Sequence, residues 1–150
     1  MPPAIAPAVR YDELLAGLTT NSQRRLYQAC TTCGLTPTQY LALRTIQELD
    51  EPRMSDLAAR LGLTPGAVTT LLDRLEKHGL AERSADGQDR RITYVRVLPK
   101  GLDASRRTDA LRRDQSLLAY DLLSPEERRH LLVGLEALSR AWAQVPEVVS

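Results

Sequence analysis

The stretch from Ser55 to Gly101, SDLAARLGLTPGAVTTLLDRLEKHGLAERSADGQDRRITYVRVLPKG, changes its hydrophobic period partway along, and that change decides the fold. Ser55 opens a short helix carrying Leu57, Ala58 and Leu61, which stops at Gly62. Thr64 and Pro65 at once begin another, because a hydroxyl can cap a first-turn amide and proline's missing N–H is no loss there. In this second helix Val68, Leu71, Leu72 and Leu75 stand at i, i+3, i+4 and i+7, so one stripe is apolar and must pack inward. The opposite stripe, Gly66, Thr70, Asp73 and Lys77 flanked by Thr69 and Arg74, is polar and suited to solvent. After Gly79 come two extended pieces, Leu80 to Ser84 and Ile92 to Leu98, joined by the turn-forming run Ala85, Asp86, Gly87, Gln88, Asp89. In the second piece Ile92, Tyr94 and the Val97 region are expected to face a core, with Thr93 and Arg96 toward solvent. Pro99 and Gly101 end it.

Helical signals lie on both sides of this stretch. Leu14, Leu15, Leu18, Leu26 and Tyr27 predict a helix from about Tyr11 to Thr32, ended by Gly34. Thr36, Pro37 and Gln39 form a second start signal, followed by Tyr40, Leu43, Ile46 and Leu49 and closed by Pro52. Beyond the hairpin a helix is expected from about Leu102 to Leu123, with Leu111, Leu118 and Leu122 on one face. Ser124-Pro125-Glu126-Glu127 is a capping box opening a last helix, whose stripe is Leu131, Leu135, Leu138 and Trp142. Met1 to Val9 is apolar and interrupted by Pro2, Pro3 and Pro7, with no basic stretch before it; it reads as a short flexible tail on a cytoplasmic protein.

The chain has 150 residues, 43% hydrophobic and 26% charged, which suits one soluble domain. It has no apolar window of about 18 uncharged residues, so no membrane span is expected. The net charge of +1 says little about a polyanionic partner. Its distribution says more: from Arg53 to Lys100 there are nine Lys or Arg against six Asp or Glu. No Ser/His/Asp arrangement with recognisable context, no Gly-rich phosphate loop and no metal-ligating His pair is present, so neither an enzyme nor a cofactor is expected. Cys30 and Cys33 form a C-x-x-C. Zinc would need two further ligands, and only His78 and His130 exist, both in segments assigned elsewhere. The thiols are either small buried hydrophobes or a redox pair.

Helix, turn, helix, hairpin is the plan of a winged helix. Its second helix fits a major groove about 12 Å wide, where base edges differ for every base pair. Pro65, Gly66 and Ala67 let the helix start lie close to DNA, and Thr69, Thr70, Asp73 and Arg74 could meet base edges. Arg53 and Lys77 are candidates for the sugar–phosphate backbone. At the hairpin tip Arg90 and Arg91 stand where a minor groove or its phosphates would lie, with Asp89 able to hold Arg91 by paired hydrogen bonds. Two other readings stay open, a winged helix that binds only protein and a thiol-redox enzyme using Cys30 and Cys33. The first need not keep Asp89 and Arg91, and the second needs a βαβ context that is missing.

The quoted stretch resembles the DNA-binding lobe of the MarR family, and the helices before and after it fit that family's whole-chain layout. The family's wing motif, an Asp, an Arg two residues on, then Leu-Thr and a Gly, is matched at Asp89, Arg91 and Gly101, while Val97 and Leu98 depart from the Leu-Thr pair. Val97 keeps an apolar position; Leu98 lacks a hydroxyl that would cap the next helix. The resemblance implies a mainly α protein with a small β-hairpin wing. Its winged helix-turn-helix lobe, 36–101, would be flanked by dimerisation helices at 1–35 and 102–150, with a recognition helix at 64–78 and a wing at 85–92. It implies that Arg91 enters the minor groove steadied by Asp89, and that Leu14, Leu18, Leu131, Leu135, Leu138 and Trp142 contribute to a homodimer. It also implies a regulator, a repressor by expectation, on a pseudo-palindromic operator, released by a small-molecule effector or an oxidant. Tyr27, Tyr40 and Arg44 are candidates for the effector pocket.

Overall fold

In the computed structural model, which describes residues 5–85 and 92–146, the elements run α1 Ile5–Thr32, α2 Pro37–Leu49, α3 Met54–Leu61, α4 Pro65–Lys77, β1 Ala81–Ala85, β2 Thr93–Val97, α5 Pro99–Asp121 and α6 Pro125–Trp142. The chain divides into two compact units between Arg112 and Arg113, within α5. Among the described residues no helix is long and apolar enough to cross a membrane.

The start and stop signals act as local chemistry requires. Thr36 Oγ1 accepts from the Gln39 amide at 3.2 Å and the Gln39 side chain accepts from the Thr36 amide at 2.9 Å, a complete capping box before α2. Thr64 Oγ1 accepts from the Ala67 amide at 3.3 Å, opening α4. Between α3 and α4, Gly62 adopts a left-handed φ of 63°, and the next residue, Leu63, returns its N–H to the Ala58 carbonyl at 3.0 Å. That closure makes the turn of the helix-turn-helix tight.

Unit 1 is built around the apolar stripes. Leu43, Ile46, Leu57, Val68, Leu72, Leu75 and Val95 are fully buried, with Leu35, Tyr40 and Leu80 nearly so. Each such side chain contributes roughly 1.5–3 kcal/mol by leaving water, which ties α2, α3, α4 and the hairpin into one core. The hairpin is antiparallel, from Ala81 opposite Val97 to Ala85 opposite Thr93. A one-residue bridge pairs Arg53 with Tyr94, and the Val95 amide donates to the Pro52 carbonyl at 3.0 Å, so the entry to α3 is tied to β2.

Four expectations need correction. α1 begins at Ile5, not near Tyr11 after a flexible tail. Pro7 falls within its first turn, where the amides lack intrahelical partners anyway. α3 begins at Met54 with Arg53 before it, not at Ser55. The Asp56 carboxylate accepts from the Arg53 amide at 3.3 Å and fixes the start one turn back from the carboxylate. On β2 the buried residue is Val95, so Tyr94 lies on the other face, its backbone bridged to Arg53. α5 begins at Pro99, so the proline starts the helix as well as ending the strand. Leu98 stands before it, its amide donating to the Leu80 carbonyl and its own carbonyl accepting from Leu102, both at 3.0 Å.

In unit 2 the turn into α6 is closed by a full capping box, Ser124 amide to Glu127 at 2.8 Å and Glu127 amide to Ser124 Oγ at 3.3 Å. Arg128 covers the end of α5, donating to the carbonyls of Tyr120, Asp121 and Leu123 with its guanidinium 5.0 Å from the Tyr120 ring centre. No side chain of α6 is buried.

Candidate nucleic-acid interface

α4 is sealed on one side and bare on the other. Val68, Leu72 and Leu75 have no exposure, whereas Pro65, Gly66, Ala67, Thr69, Thr70, Asp73, Arg74 and Lys77 are all exposed, as the sequence pattern requires. The Thr69 and Thr70 hydroxyls donate back to the Pro65 and Gly66 carbonyls at 3.0 and 3.1 Å, which leaves their oxygens free to accept. Asp73 is paired at one oxygen: its Oδ1 lies 2.8 Å from the Arg83 guanidinium.

Arg83, on β1, went unnoticed in the sequence. Besides Asp73 it meets Glu76 at 2.5 Å and donates to the Thr69 carbonyl at 2.9 Å, while its own amide donates to Glu76 at 2.8 Å. The available signal was an Arg on the first strand, seven residues beyond a Glu in the helix's last turn and across one tight turn at Gly79. Lys100 was also missed. Its ammonium donates to the His78 carbonyl at 2.8 Å, placing positive charge at the carbonyl end of α4.

Arg53 is exposed, and with Met54, Ser55, Ile92 and Thr93 it lines a cleft, so the structure brings this arginine to the base of the wing. Asp89, Arg90 and Arg91 lie outside the described residues. A second cleft, of about 480 Å³, runs along α4 between Ala67, Thr70, Leu71 and Arg74 on one side and Thr36, Thr38, Gln39 and Leu63 on the other.

Tyr27 stands apart from Tyr40 and Arg44, which share one hydrogen-bond network. Tyr27 is exposed and lines a shallow cleft with Gln28, Thr31 and Thr32. Tyr40 is buried. Its hydroxyl donates to Asp109 at 2.6 Å, and Arg44 reaches the same carboxylate at 3.2 Å and Glu48 at 2.8 Å. Burial, then the Asp109 bond, raises the Tyr40 phenol above its ordinary range. Cys30 and Cys33 are free thiols at the end of α1, the first fully buried and the second half-buried. Burial pushes Cys30 up to about 11, with Cys33 adding to the shift. Among the described residues no group of three or more His, Cys, Asp and Glu is placed to hold a metal ion.

Of the residues expected to pair with a second copy, Leu14 and Leu18 on α1 are exposed, as are Leu131, Leu135 and Trp142 on α6, and Leu138 is half-buried.

Residues 35–93, which hold α2 to α4 and β1 and end at the first residue of β2, match the MarR family. The YfiV protein of Bacillus subtilis (strain 168), an uncharacterized HTH-type transcriptional regulator, is 38% identical over 59% of this chain and 56% of its own length. The matches span between 40% and 70% of the curated relatives' own length. A MarR family protein of Bacillus stearothermophilus superposes with a TM-score of 0.81 at 23% identity, over 93% of this chain and 97% of the other. A mutant of S. aureus MepR bound to an oligodeoxyribonucleotide gives a TM-score of 0.72 at 21% identity, over 88% and 97%. With the helix-turn-helix, the hairpin and the flanking long helices all in place, the chain has the winged-helix fold of these MarR-family structures, and its residues 35–93 are similar to that family.

Proposed function

We propose that this chain is a sequence-specific DNA-binding transcriptional regulator and not an enzyme. Two copies would present their α4 helices to a pseudo-palindromic operator. One observation carries the reading: α4 buries Val68, Leu72 and Leu75 completely while its whole opposite edge, from Pro65 through Arg74, is exposed, small at the start and hydrogen-bonding beyond it. An exposed edge of that composition on a helix fits direct readout, with Thr70 and Arg74 at base edges and Arg53 and Lys77 at phosphates. Asp89, Arg90 and Arg91 then form the wing contact, Arg91 in the minor groove. The oligodeoxyribonucleotide bound by the MepR mutant supports the same use of the fold.

Repression is the expected sign of regulation, since a dimer seated on an operator excludes other proteins from it. Release by a small molecule is supported by the cleft that shares Ala67, Thr70 and Arg74 with the reading edge, where an occupant would compete with DNA. An oxidant would act first at Cys33, the more exposed thiol.

The test is selection of bound fragments from genomic DNA, with competition at rising salt. A recurrent near-palindrome with half-sites about one helical turn apart is expected. Failure to retain any duplex at low ionic strength would overturn the reading. Arg91→Ala is expected to weaken operator binding and reduce the salt slope by about one.

A further inference from the structure

We infer that Arg83 is the positioning residue that sets how α4 and the wing are presented to DNA together, an inference that rests on the reading of α4 as the DNA-facing helix. Arg83 sits on β1, the strand leading into the wing. Its side chain spans one face of α4 over two turns, holding the Thr69 carbonyl at 2.9 Å, the Asp73 carboxylate at 2.8 Å and the Glu76 carboxylate at 2.5 Å. These partners stand at i, i+4 and i+7, so one planar guanidinium fixes both the rotation of the helix about its axis and its distance from the strand. The backbone repeats the link, because the Arg83 amide also donates to Glu76 at 2.8 Å.

Two consequences follow for recognition. Thr69 lends Arg83 its carbonyl while its own side chain, like that of Thr70, lies on the exposed edge, so the contact made by Arg83 adjoins the reading edge directly. Asp73 would by itself place a bare carboxylate among phosphates. Paired with Arg83, whose side chain is 22% exposed against 62% for Asp73, it adds little net repulsion and serves as a strut instead of a base reader.

A direct phosphate contact by Arg83 is the competing explanation, and a charge exchange separates the two. Arg83→Glu should lower operator affinity at least tenfold and blur the base preference in sequences selected from random duplexes. Adding Glu76→Arg restores an ion pair of opposite sense between strand and helix, and should recover most of the affinity and the original preference. Arg83→Met, which keeps much of the stem, should blur preference while the thermal midpoint stays above the assay temperature. The inference is overturned if the exchanged pair binds no better than Arg83→Glu alone, or if Arg83→Met selects the wild-type sequences with wild-type affinity. Failure of the wild-type protein to bind any duplex sinks the reading of α4 and this inference with it, whereas either result above, with wild-type binding intact, sinks only the role of Arg83.

Discussion

A single absent methyl at Gly101 shows how closely the lobe is assembled. A Cβ there would stand 2.0 Å from the Leu80 carbonyl oxygen and 3.0 Å from Val97, and the first of these is backbone already held by the Leu98 amide. The obstacle cannot swing aside as a flexible side chain would, so Gly101→Ala must push α5 from the hairpin. A loss of about 3 kcal/mol is expected, seen as a fall of at least about 6 °C in the thermal midpoint; an unchanged midpoint would show that α5 shifts freely. The two thiols are separable at the same scale. Cys30 is fully buried with its pKa raised from 9.0 to about 11, so iodoacetamide should label Cys33 first and reach Cys30 only on unfolding. A raised pKa means that the folded state keeps the proton longer. The stabilising contribution is present below about 9 and lost as pH rises through about 11, so the advantage of wild type over Cys30→Ala in urea should shrink across that window. If the difference between them is constant with pH, burial does not govern this thiol.

At the scale of the element, the caps decide where helices begin. Thr64 satisfies the Ala67 amide at the end of α4 that the proposed function turns toward DNA. Thr64→Ala should cost about 1 kcal/mol and speed amide exchange in that first turn, with Thr64→Ser restoring both; equal exchange in all three proteins would show that Pro65 alone fixes the start. At α6, Glu127 is held below the ordinary carboxylate range by the Ser124 amide and then its hydroxyl. A lowered pKa contributes stability above the ordinary value that fades as pH falls through the lowered one. Acid should therefore fray α6 in the wild type more than in Glu127→Gln, whose amide keeps the cap without titrating. Caps of this kind were legible in the sequence, as were the stripe of α4 and the hairpin, because each rests on residues a few positions apart. What escaped was set by contacts distant in sequence or made by backbone. Val95 rather than Tyr94 faces inward because the Pro52 carbonyl takes the Val95 amide, and α3 starts early because Asp56 reaches back to Arg53. The pairing of Asp73 with Arg83, from a strand beyond the helix, escaped for the same reason.

For the whole molecule, the question is what covers the apolar side chains that the chain leaves bare. Leu14 and Leu18 on α1 are 50% and 66% exposed, and Leu131, Leu135 and Trp142 on α6 are 39%, 51% and 54% exposed, although each set falls on one stripe of its helix. A monomer with two such stripes would present apolar surface of the kind that marks interaction sites, and a second copy is the partner always at hand. A dimer also gives the recognition helices their reason to come in pairs, since linking two half-site contacts can raise affinity by about 10² to 10⁴ without a new contact. Light scattering should therefore report twice 16.7 kDa at micromolar concentration, with a thermal midpoint that rises with concentration. Leu18→Glu combined with Leu135→Glu changes two exposed positions that the folded chain does not need for its own core. The variant should keep its helical content, run at 16.7 kDa and lose operator affinity by about a hundredfold or more, while its weak affinity for nonspecific DNA stays near the wild-type value. A wild-type protein that weighs 16.7 kDa at every concentration removes the dimer, and a variant that remains paired moves the interface away from these two stripes.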